Sequence, residues 1–442
     1  MQRVFVLGMD GKALMPCRPS RAKELLKAGK AVVFRRYPFT LIMKKQTGKQ
    51  VQPVAFKVDP GSKITGGALV ADFKRGKEVI WAAEIEHRGQ AVRDNLLSRR
   101  ALRHGRRNRK TRYRKQRFLN RTRPESWLPP SLKSRVSNIA TWLSRLRRWS
   151  PISSVAMELV KFDTQKMKNP EISGVEYQQG TLAGYEVREY LLEKWGRKCA
   201  YCGVENVPLE VEHIIPKSRG GSNGVSNLAV SCEPCNKTKG NSTAAEFGHP
   251  DVQAKAETPL KDAAAVNATR WRLFERLKKA GLPVECGTGG RTKFNRTVQG
   301  YRKAHWTDAA CAGVSGRFVR LDPLMLPILI RAVGHGIRQM CGTDRFGFPK
   351  RHRMRQKSHH GFQTGDIVRA VVPNGKRKGT HIGVVLCRAS GSFDIKTRGG
   401  RAAGISYRHC VVVQRADGYS YAVGGGASFP GLKAGASAPS IW

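Results

Sequence analysis

The sequence predicts a multidomain protein of the mixed α/β class. Its 442 residues are enough for about three domains. Short apolar strand patterns alternate with helix patterns over the first three quarters of the chain, and strand patterns alone follow from about residue 345. An arginine-rich run and two C-x-x-C pairs interrupt the alternating region. These observations predict an α/β core that is split by two insertions and followed by a small β domain.

The charge of the chain indicates its class of partner. Lys and Arg number 81 against 32 Asp and Glu, which gives a net charge of +49. Such a chain needs a polyanion, and nucleic acid is the default. No apolar run approaches the roughly 20 residues of a membrane-spanning helix, and the N-terminus lacks the apolar length of a secretory signal. We therefore expect nucleic-acid partners, no membrane partner and a cytoplasmic location.

The N-terminal patterns predict a small basic module. VFVLG is typical of a strand, and SRAKELLKAGKA predicts a helix with Ser20 as its N-cap and Gly29 near its end. AVVFRRYPFTLIM then predicts a strand, a turn and a second strand.

The core begins with two or three strands, in VAFKVDPGSKITGGALVAD and EVIWAAEIE. Asp59 ends the first of them, and Gly61 permits a tight turn into the next. A carboxylate inside an apolar strand is costly unless it is paired or metal-bound. Asp59 is therefore a candidate ligand, although D-P-G is also an ordinary turn sequence.

An arginine-rich run follows these strands. From Arg99 to Arg123, thirteen of 25 residues are Arg or Lys and none is acidic. Interleaved apolar residues, such as Leu102 and Phe118, predict a helix with one docked face. Arginine suits phosphate binding and base stacking, whereas the alternatives are a solvated helix or a tail that orders only on binding. The arginines expected to contact nucleic acid are Arg99, Arg100, Arg103, Arg106, Arg107, Arg109, Arg112, Arg114 and Arg117.

The core resumes after this run. Trp142, Leu146 and Trp149 recur at helical spacing and predict a helix over 131–149 with an apolar face. PISSVAMELV predicts a short buried strand that carries Glu158 near its end, and a further helix is expected over 175–195.

Two C-x-x-C pairs lie about thirty residues apart, a spacing typical of a tetrahedral zinc site. Their cysteines are Cys199, Cys202, Cys232 and Cys235. The other six of the ten cysteines are scattered singly. Metal ligation in a reducing cytosol therefore fits better than a disulfide framework.

Between the pairs stands a set of residues suited to phosphodiester hydrolysis. Glu212 precedes His213, and Asn227 follows in a Gly-rich loop; Asn236 comes directly after the second pair. Such residues hold one divalent metal and activate one water. Their order matches that of the HNH nucleases. The alternative is a zinc ribbon without catalysis, which Glu212 and His213 disfavour.

A second constellation is split by the first. Asp308 lies in a predicted helix over 300–313, and His305 precedes it by three residues, so both share one helix face. Asp59, Glu158 and Asp308, drawn from strand, strand and helix, resemble the site of RNase H-like nucleases. Such sites hold two Mg²⁺ about 4 Å apart. His305 would then act as a base or position the attacking water.

The last quarter of the chain reads as a β domain. The basic linker KRHRMRQKSHH leads into four strand patterns, GDIVRAVV, HIGVVLCRA, SFDIKT and HCVVVQRA. They predict a small barrel or curled sheet, and the Gly/Ala/Ser-rich tail after them is expected to be disordered.

An RNase H-like nuclease split by an arginine-rich helix and an HNH insert resembles the IscB family. These are transposon-encoded, RNA-guided nucleases related to the type II CRISPR effectors. ALMPCRPSRAKELLKAGKA supports the resemblance, since IscB proteins begin with a P-L-M-P-like motif; here Ala13 replaces the leading proline. The resemblance covers essentially the whole chain. It implies an N-terminal PLMP-like domain (1–52), RuvC-type segment I (53–87), a bridge helix (88–128), RuvC-type segment II (129–193), an HNH domain with zinc (194–248), RuvC-type segment III (249–345) and a C-terminal β domain (346–442).

The resemblance also implies residue roles. In the HNH site His213 is the general base, Asn227 orients the base loop, and Glu212 and Asn236 hold one Mg²⁺, with Glu212 standing where many relatives carry Asp. The four cysteines hold structural Zn²⁺. The RuvC-type site, with two Mg²⁺, consists of Asp59, Glu158, His305 and Asp308.

The function implied is RNA-guided cleavage of double-stranded DNA. The HNH site would cut the guide-paired strand and the RuvC-type site the displaced strand. A structured guide RNA and target DNA would be the partners of a monomer in a ribonucleoprotein of the prokaryotic cytoplasm. The bridge helix would grip the RNA, and the C-terminal domain would contact the guide scaffold and read a short target-flanking motif. The alternatives are a homing-type or resolvase-like endonuclease that reads DNA without RNA, and an RNA-binding protein that does not cut.

Overall fold

A computed structural model describes residues 2–48, 50–108, 127–159, 186–258, 263–335, 341–352, 354–397 and 399–423. The described helices are α1 (Pro19–Lys27), α2 (Gly89–Asn108), α3 (Pro130–Trp149), α4 (Glu186–Lys194), α5 (Glu233–Lys239), α6 (Pro250–Glu257), α7 (Ala263–Lys278), α8 (Gly289–Val298) and α9 (His305–Ala310). Within the part of the chain that the structure describes, no helix has both the length and the apolar character needed to cross a membrane.

The described strands fall into one large sheet and several small ones. They are β1 (Phe5–Leu7), β2 (Ala31–Arg35), β3 (Thr40–Met43), β4 (Val54–Asp59), β5 (Ile64–Phe73), β6 (Gly76–Glu86), β7 (Ile152–Glu158), β8 (Leu209–His213), β9 (Leu228–Cys232), β10 (Val284–Gly287), β11 (Val319–Arg320), β12 (Ile328–Ala332), β13 (Cys341–Thr343), β14 (Pro349–His352), β15 (Ser358–His359), β16 (Phe362–Gln363), β17 (Ile367–Val372), β18 (Gly379–Leu386), β19 (Ser392–Thr397), β20 (Gly400–Ser406), β21 (Cys410–Gln414) and β22 (Tyr419–Val423).

The N-terminal module contains the predicted strand, helix and strand pair. Its sheet has the order β1-β3-β2, and α1 packs against β2. The predicted cap was wrong, because Arg18 is the N-cap and Pro19 opens the helix. Proline suits a first turn, since it needs no N–H partner there and its φ is already helical. Gly29, with φ of 63°, lies just after the helix as predicted.

The large sheet has the order β10-β7-β4-β5-β6-β12-β22, with β11 beside the start of β6. Strands β4, β5 and β6 are antiparallel neighbours, whereas β7 is parallel to β4 and β10 is parallel to β7. Val58 of β4 pairs with Met157 of β7. Asp59 and Glu158, each one residue further, therefore leave the sheet at the same edge.

Helices cover both faces of this sheet. On one face the predicted helix α3 and the later helix α7 bury Trp142, Leu146 and Leu273 against the sheet core. On the other face α9 buries Ala309 and Ala310. The prediction of a helix over 300–313 was too long, because Gly300 and Gly313 take positive φ on either side of the six-residue α9. Helix α8 was not predicted.

Two further parts have their own cores. The hairpin β8–β9 packs with α4, α5 and α6 around a core that includes Leu191, Ile214 and Val230. The C-terminal strands form a five-stranded sheet of order β20-β19-β18-β17-β21, whose core includes Phe393 and Ile395. The sequence had placed the chain after 416 in a tail, yet β22 pairs antiparallel with β12 in the large sheet. The rest of the predicted tail, 424–442, lies outside the described residues.

Candidate functional site

The four paired cysteines come together as predicted. Their sulfur atoms all lie within 4.8 Å of one another, and the Sγ atoms of Cys202 and Cys232 are 3.6 Å apart. Sulfur ligands around a tetrahedral zinc, with Zn–S near 2.3 Å, are about 3.8 Å apart. The cluster therefore fits a structural zinc ion. Among the described residues no other group of three or more His, Cys, Asp or Glu side chains meets this closely.

The cluster joins a turn, a strand and a helix into a ββα unit. Strands β8 and β9 are antiparallel, and Cys232 ends β9 as the N-cap of α5. Pro234 and the acidic Glu233 stand in the first turn, where a missing N–H and a negative charge are both favourable. A zinc ion there would fix the start of α5 relative to the turn before β8.

His213 lies at the end of β8, on the half-buried surface of this unit. Its Nε2 is 2.9 Å from Oδ1 of Asn223. Because an amide oxygen only accepts, this hydrogen bond places the imidazole proton on Nε2 and leaves the Nδ1 lone pair available. The orientation of the His213 imidazole is therefore fixed by Asn223, a residue that the sequence did not single out.

Asn227 organises the loop between the two strands. Its Oδ1 accepts from Ile215 N, and its Nδ2 donates to Ile215 O, all at 2.9 Å, and to Ser222 O at 3.0 Å. Gly221 allows this loop to close, since a Cβ there would lie 1.7 Å from Ile215 O. Asn227 thus holds the loop between β8 and β9, and its side chain forms these hydrogen bonds with the loop backbone.

Glu212 points into the protein rather than to the surface. It is 6% exposed, accepts a hydrogen bond from the Tyr201 hydroxyl, and lies 3.1 Å from Nζ of the equally buried Lys239. Lys239 also donates to His213 O at 2.9 Å. Asn236 is instead half-buried, and its Nδ2 donates to Glu210 at 2.7 Å. The two predicted Mg²⁺ ligands of this unit are therefore held by different partners.

The second predicted constellation forms at one edge of the large sheet. Asp59 and Glu158 end the adjacent strands β4 and β7, and His305 of α9 lies with Nδ1 3.6 Å from Asp59 Oδ2. Asp308 lies one turn further along α9, where Arg296 Nε is 2.7 Å from its Oδ1. The structure thus gathers residues from positions 59 to 308 into one site.

The carboxylates of this site repel one another. Burial and the charge of Asp59 raise the pKa of Glu158 to about 7 and that of Asp308 to about 6. The neighbouring carboxylate of Asp59 raises the pKa of His305. Arg270 offsets part of the repulsion, since its guanidinium is 3.5 Å from Glu158. A divalent cation bound between these carboxylates would favour their ionised forms in the same way.

The arginine-rich run is described only in its first half. Helix α2 presents Arg99, Arg100, Arg103 and Arg107 to solvent. Leu102 is half-buried, as a helix with one docked face requires. The side chain of Arg106, and the whole of Arg109, Arg112, Arg114 and Arg117, lie outside the described residues.

Several residues around both sites were missed by sequence reasoning. Tyr201, Lys239 and Asn223 hold the ββα unit, and Arg270 and Arg296 balance the carboxylates. Lys239, Arg270 and Arg296 could not be singled out from the sequence, because the chain contains 81 Lys and Arg residues. Asn223 alone had a signal, because it stands in the same Gly-rich loop as Asn227.

Comparisons with known proteins give two family matches and distant structural similarities. The Type II-C Cas9 enzyme from Actinomyces naeslundii is 18% identical, with a TM-score of 0.15 over 44% of this chain and 29% of its own. Streptococcus thermophilus Cas9 in complex with the GGAA PAM is 11% identical, with a TM-score of 0.22 over 58% of this chain and 32% of its own. The chain thus spans about a third of the length of these enzymes, and such TM-scores do not establish a shared fold. No curated protein matches the chain.

The family matches fall on the segments that carry the sites. The RRXRR protein family matches residues 4–180, which include β4, α2 and β7. The HNH endonuclease family matches residues 199–251, which include all four cysteines, His213 and Asn227. Residues 199–251 therefore form an HNH endonuclease domain, and its cysteine cluster is suited to structural zinc.

Proposed function

We propose that this protein is an RNA-guided endonuclease of the IscB type that cuts both strands of DNA. The HNH domain cuts the strand paired to the guide, and the carboxylate site of Asp59, Glu158 and Asp308 cuts the displaced strand. The observation that carries the proposal is that the HNH domain lies, in sequence, between residues of the carboxylate site. The HNH domain is inserted between Glu158 and Asp308, which nevertheless meet at one sheet edge.

The order of the large sheet supports an RNase H-like assignment for the second site. Three antiparallel strands, β4 to β6, are followed by β7 and β10, parallel to β4 and on its other side. This arrangement puts the ends of the first and fourth strands side by side with a carboxylate on each. Two ions about 4 Å apart do not need all three carboxylates to converge on one point.

In the HNH domain the chain supplies the base and its orientation. Nδ1 of His213 takes the proton of the attacking water, while Asn223 and Asn227 keep the imidazole and its loop in place. Carboxylate and amide oxygens are suitable Mg²⁺ ligands, so Glu212 and Asn236 are assigned to the ion. Glu212 would then share its carboxylate between Lys239 and the ion. The ion, when bound, stabilises charge on the leaving oxygen.

In the second site Asp59, Glu158 and Asp308 are assigned to two Mg²⁺, which would stabilise the attacking and leaving oxygens. Nδ1 of His305 lies 3.6 Å from Asp59, and the His305 side chain is half-exposed. The neighbouring carboxylate raises the pKa of His305, which favours its protonated form more than in a free histidine and suits contact with a phosphate. The proposal therefore gives His305 the role of positioning, one of the two roles expected from the sequence.

The exposed arginines of α2 and the charge of +49 support a structured RNA as the guide-bearing partner. Among the described helices, none other than α2 carries so many arginines. RNA guidance also explains why two different sites occur in one chain, since the two DNA strands have opposite polarity.

The test is plasmid cleavage by protein purified with its RNA. Wild type should linearise a plasmid that matches the variable end of the co-purified RNA. Asp59→Ala should still nick the guide-paired strand but cut the displaced strand about 100-fold or more slowly. His213→Ala should give the opposite result, with the displaced strand nicked and the guide-paired strand cut about 100-fold or more slowly. Asp10→Ala and His352→Ala, exposed residues of the same types, should linearise as wild type does. RNA-free cleavage at a fixed sequence would reject RNA guidance, and double-strand cutting by both site variants would reject the sites.

A further inference from the structure

A basic groove runs between α3 and α7 on the face of the large sheet that these helices cover. Its volume is about 1060 Å³. The apolar residues of both helices point inward to the sheet, so the outer sides of the helices form the groove. The small residues Ser137, Ala140 and Ser144 recur every three or four residues along α3, and they leave room for the groove on this side of the helix.

The rim of the groove is cationic. Lys133 and Arg148 of α3, Arg276 of α7 and Lys279 just after it line the groove, and none forms an ion pair with a described residue. Glu275 is the acidic residue among those that line it, and its charge is already met by Arg272. Unpaired cations around a polar trough favour a polyanion over a small apolar ligand.

The groove is separated from the carboxylate site. Helix α3 ends at Trp149 and β7 begins at Ile152, so Arg148 lies at the amino-terminal edge of the sheet. Arg147 donates to Ala280 O at 2.8 Å, which holds the end of α7 beside it. Glu158 is at the opposite end of β7, roughly 20 Å away at about 3.3 Å per residue. A phosphate bound at this end of the groove is therefore not the one that is cut.

The other end of the groove lies at the start of α3, where α2 packs against that helix. Trp127, 42% exposed, lines the groove at this end. A polymer bound by the exposed arginines of α2 can therefore extend into the groove.

We propose that the α3–α7 groove binds the phosphate backbone of the structured RNA. The inference rests on the proposed function and assigns the RNA a path from the arginine-rich run to the amino-terminal edge of the large sheet. RNA fits this path better than target DNA, because the DNA must reach the carboxylates at the opposite edge and leave after cleavage. Trp127 provides a ring on which an unpaired base can stack.

Exposed residues outside the groove allow a matched test. Arg148→Gln with Lys279→Gln removes two groove charges. Arg320→Gln with Lys278→Gln removes the same charges from exposed positions outside the groove. The probes are the RNA recovered with wild-type protein, transcribed in vitro, and a duplex DNA of equal length. Affinities are measured at several salt concentrations.

The groove pair should bind the RNA about tenfold or more weakly, because two charge-assisted contacts with phosphate are lost. Its salt slope should fall by about two, one for each lost phosphate contact. The control pair should keep affinity and slope. Equal losses in both pairs, or a loss confined to duplex DNA, would overturn the proposal. Should the groove pair melt at a lower temperature than wild type, the exposed Arg276→Gln gives the same comparison.

Failure of the groove and failure of RNA guidance give different results. Wild-type protein that carries no RNA, or that cuts without it, rejects guidance and the groove with it. Wild-type protein that cuts where its RNA directs, together with a groove pair of unchanged RNA affinity, rejects the groove alone.

Discussion

Glu212 shows what burial adds to a sequence motif. In the sequence it is a carboxylate beside a histidine, and the resemblance makes it a metal ligand. In the structure it is 6% exposed and shares its charge with Lys239, a residue 27 positions away. A buried charge without this partner would be strongly unfavourable. Lys239 therefore compensates the buried carboxylate of Glu212 and helps to hold β8 in place.

Removing Lys239 should loosen the ββα unit. Lys239→Met leaves Glu212 without its cation and His213 O without its donor, and we expect the unit to lose about 3 kcal/mol of local stability. Hydrogen exchange of the β8 and β9 amides measures this loss. Lys237→Met is the control, because Lys237 is exposed. Its ion pair with Glu233, four residues away on the helix, contributes no more than about 0.5 kcal/mol to stability. Similar exchange in both variants would contradict the buried pair.

The seating of α9 is an example at the scale of elements. This six-residue helix brings His305 and Asp308 to the carboxylate site, and it is packed tightly against β5. The contact requires glycine at position 66, because a Cβ there would lie 1.8 Å from His305 O. The neighbouring Gly67 has room, since its nearest neighbour would be 3.5 Å away.

Gly66→Ala should therefore disable one site and spare the other. The added methyl group must push the start of α9 outward by more than 1 Å, a displacement that can cost about 100-fold in rate. Cutting of the displaced strand should fall accordingly, while the HNH cut continues. Gly67→Ala should cut both strands normally. A plasmid nicking assay with strand-specific labels distinguishes the two, and normal cutting by Gly66→Ala would show that α9 adjusts without cost.

The cysteine cluster should hold one zinc ion per chain. Elemental analysis of purified protein should give this ratio, and Cys202→Ser should lower it, because one of four thiolates is lost. Faster hydrogen exchange in β8, β9 and α5 should accompany the loss, since the ion joins these elements. Cys387→Ser, outside the cluster, should change neither quantity. A zinc-free wild type with well-protected amides would show that the four thiols do not need an ion.

At the scale of the whole molecule, His87 links distant parts of the chain. It follows β6, and its Nε2 is 2.7 Å from the Thr65 hydroxyl while Nδ1 is 3.2 Å from Asn138 Nδ2 of α3. Asn138 in turn accepts from the hydroxyl of Tyr419 in β22. These hydrogen bonds therefore connect the chain just before α2, which starts at Gly89, with α3 and with the C-terminal strand β22.

This network should make stability depend on pH. Burial and the charge of Arg135 lower the pKa of His87 to about 3, whereas an unfolded histidine titrates near 6.5. Between these two pKa values the unfolded state binds one more proton than the folded state. The free energy of unfolding is therefore highest above pH 6.5 and falls as the pH is lowered toward 3, by at most about 1.4 kcal/mol per pH unit. Thermal unfolding from pH 4 to 8 should show a weaker pH dependence in His87→Gln than in wild type. The exposed His104→Gln should match wild type, and an unchanged profile in His87→Gln would mean that His87 is protonated in the fold.

The sequence pointed to most residues of the two proposed sites but to few of the residues that support them. Catalytic residue types carry a signal through spacing, as in the two cysteine pairs or Glu212 beside His213. Supporting cations such as Arg270 and Arg296 carry none, because the chain is rich in lysine and arginine throughout. Helix ends were also difficult: Ser20 was expected to cap α1, and the neighbouring Pro19 decided otherwise.

By itself the sequence determined the chemistry available to this protein: a zinc cluster, a base in an HNH endonuclease domain, separated carboxylates and a large positive charge. Local patterns suffice for these, since they depend on residue type and short spacing. Only the tertiary structure decided that Asp59, Glu158 and Asp308 share one site, that Lys239 neutralises Glu212, and that β22 returns to the large sheet. These contacts join residues far apart in the chain, and burial and strand pairing fix them without leaving a periodic mark in the sequence.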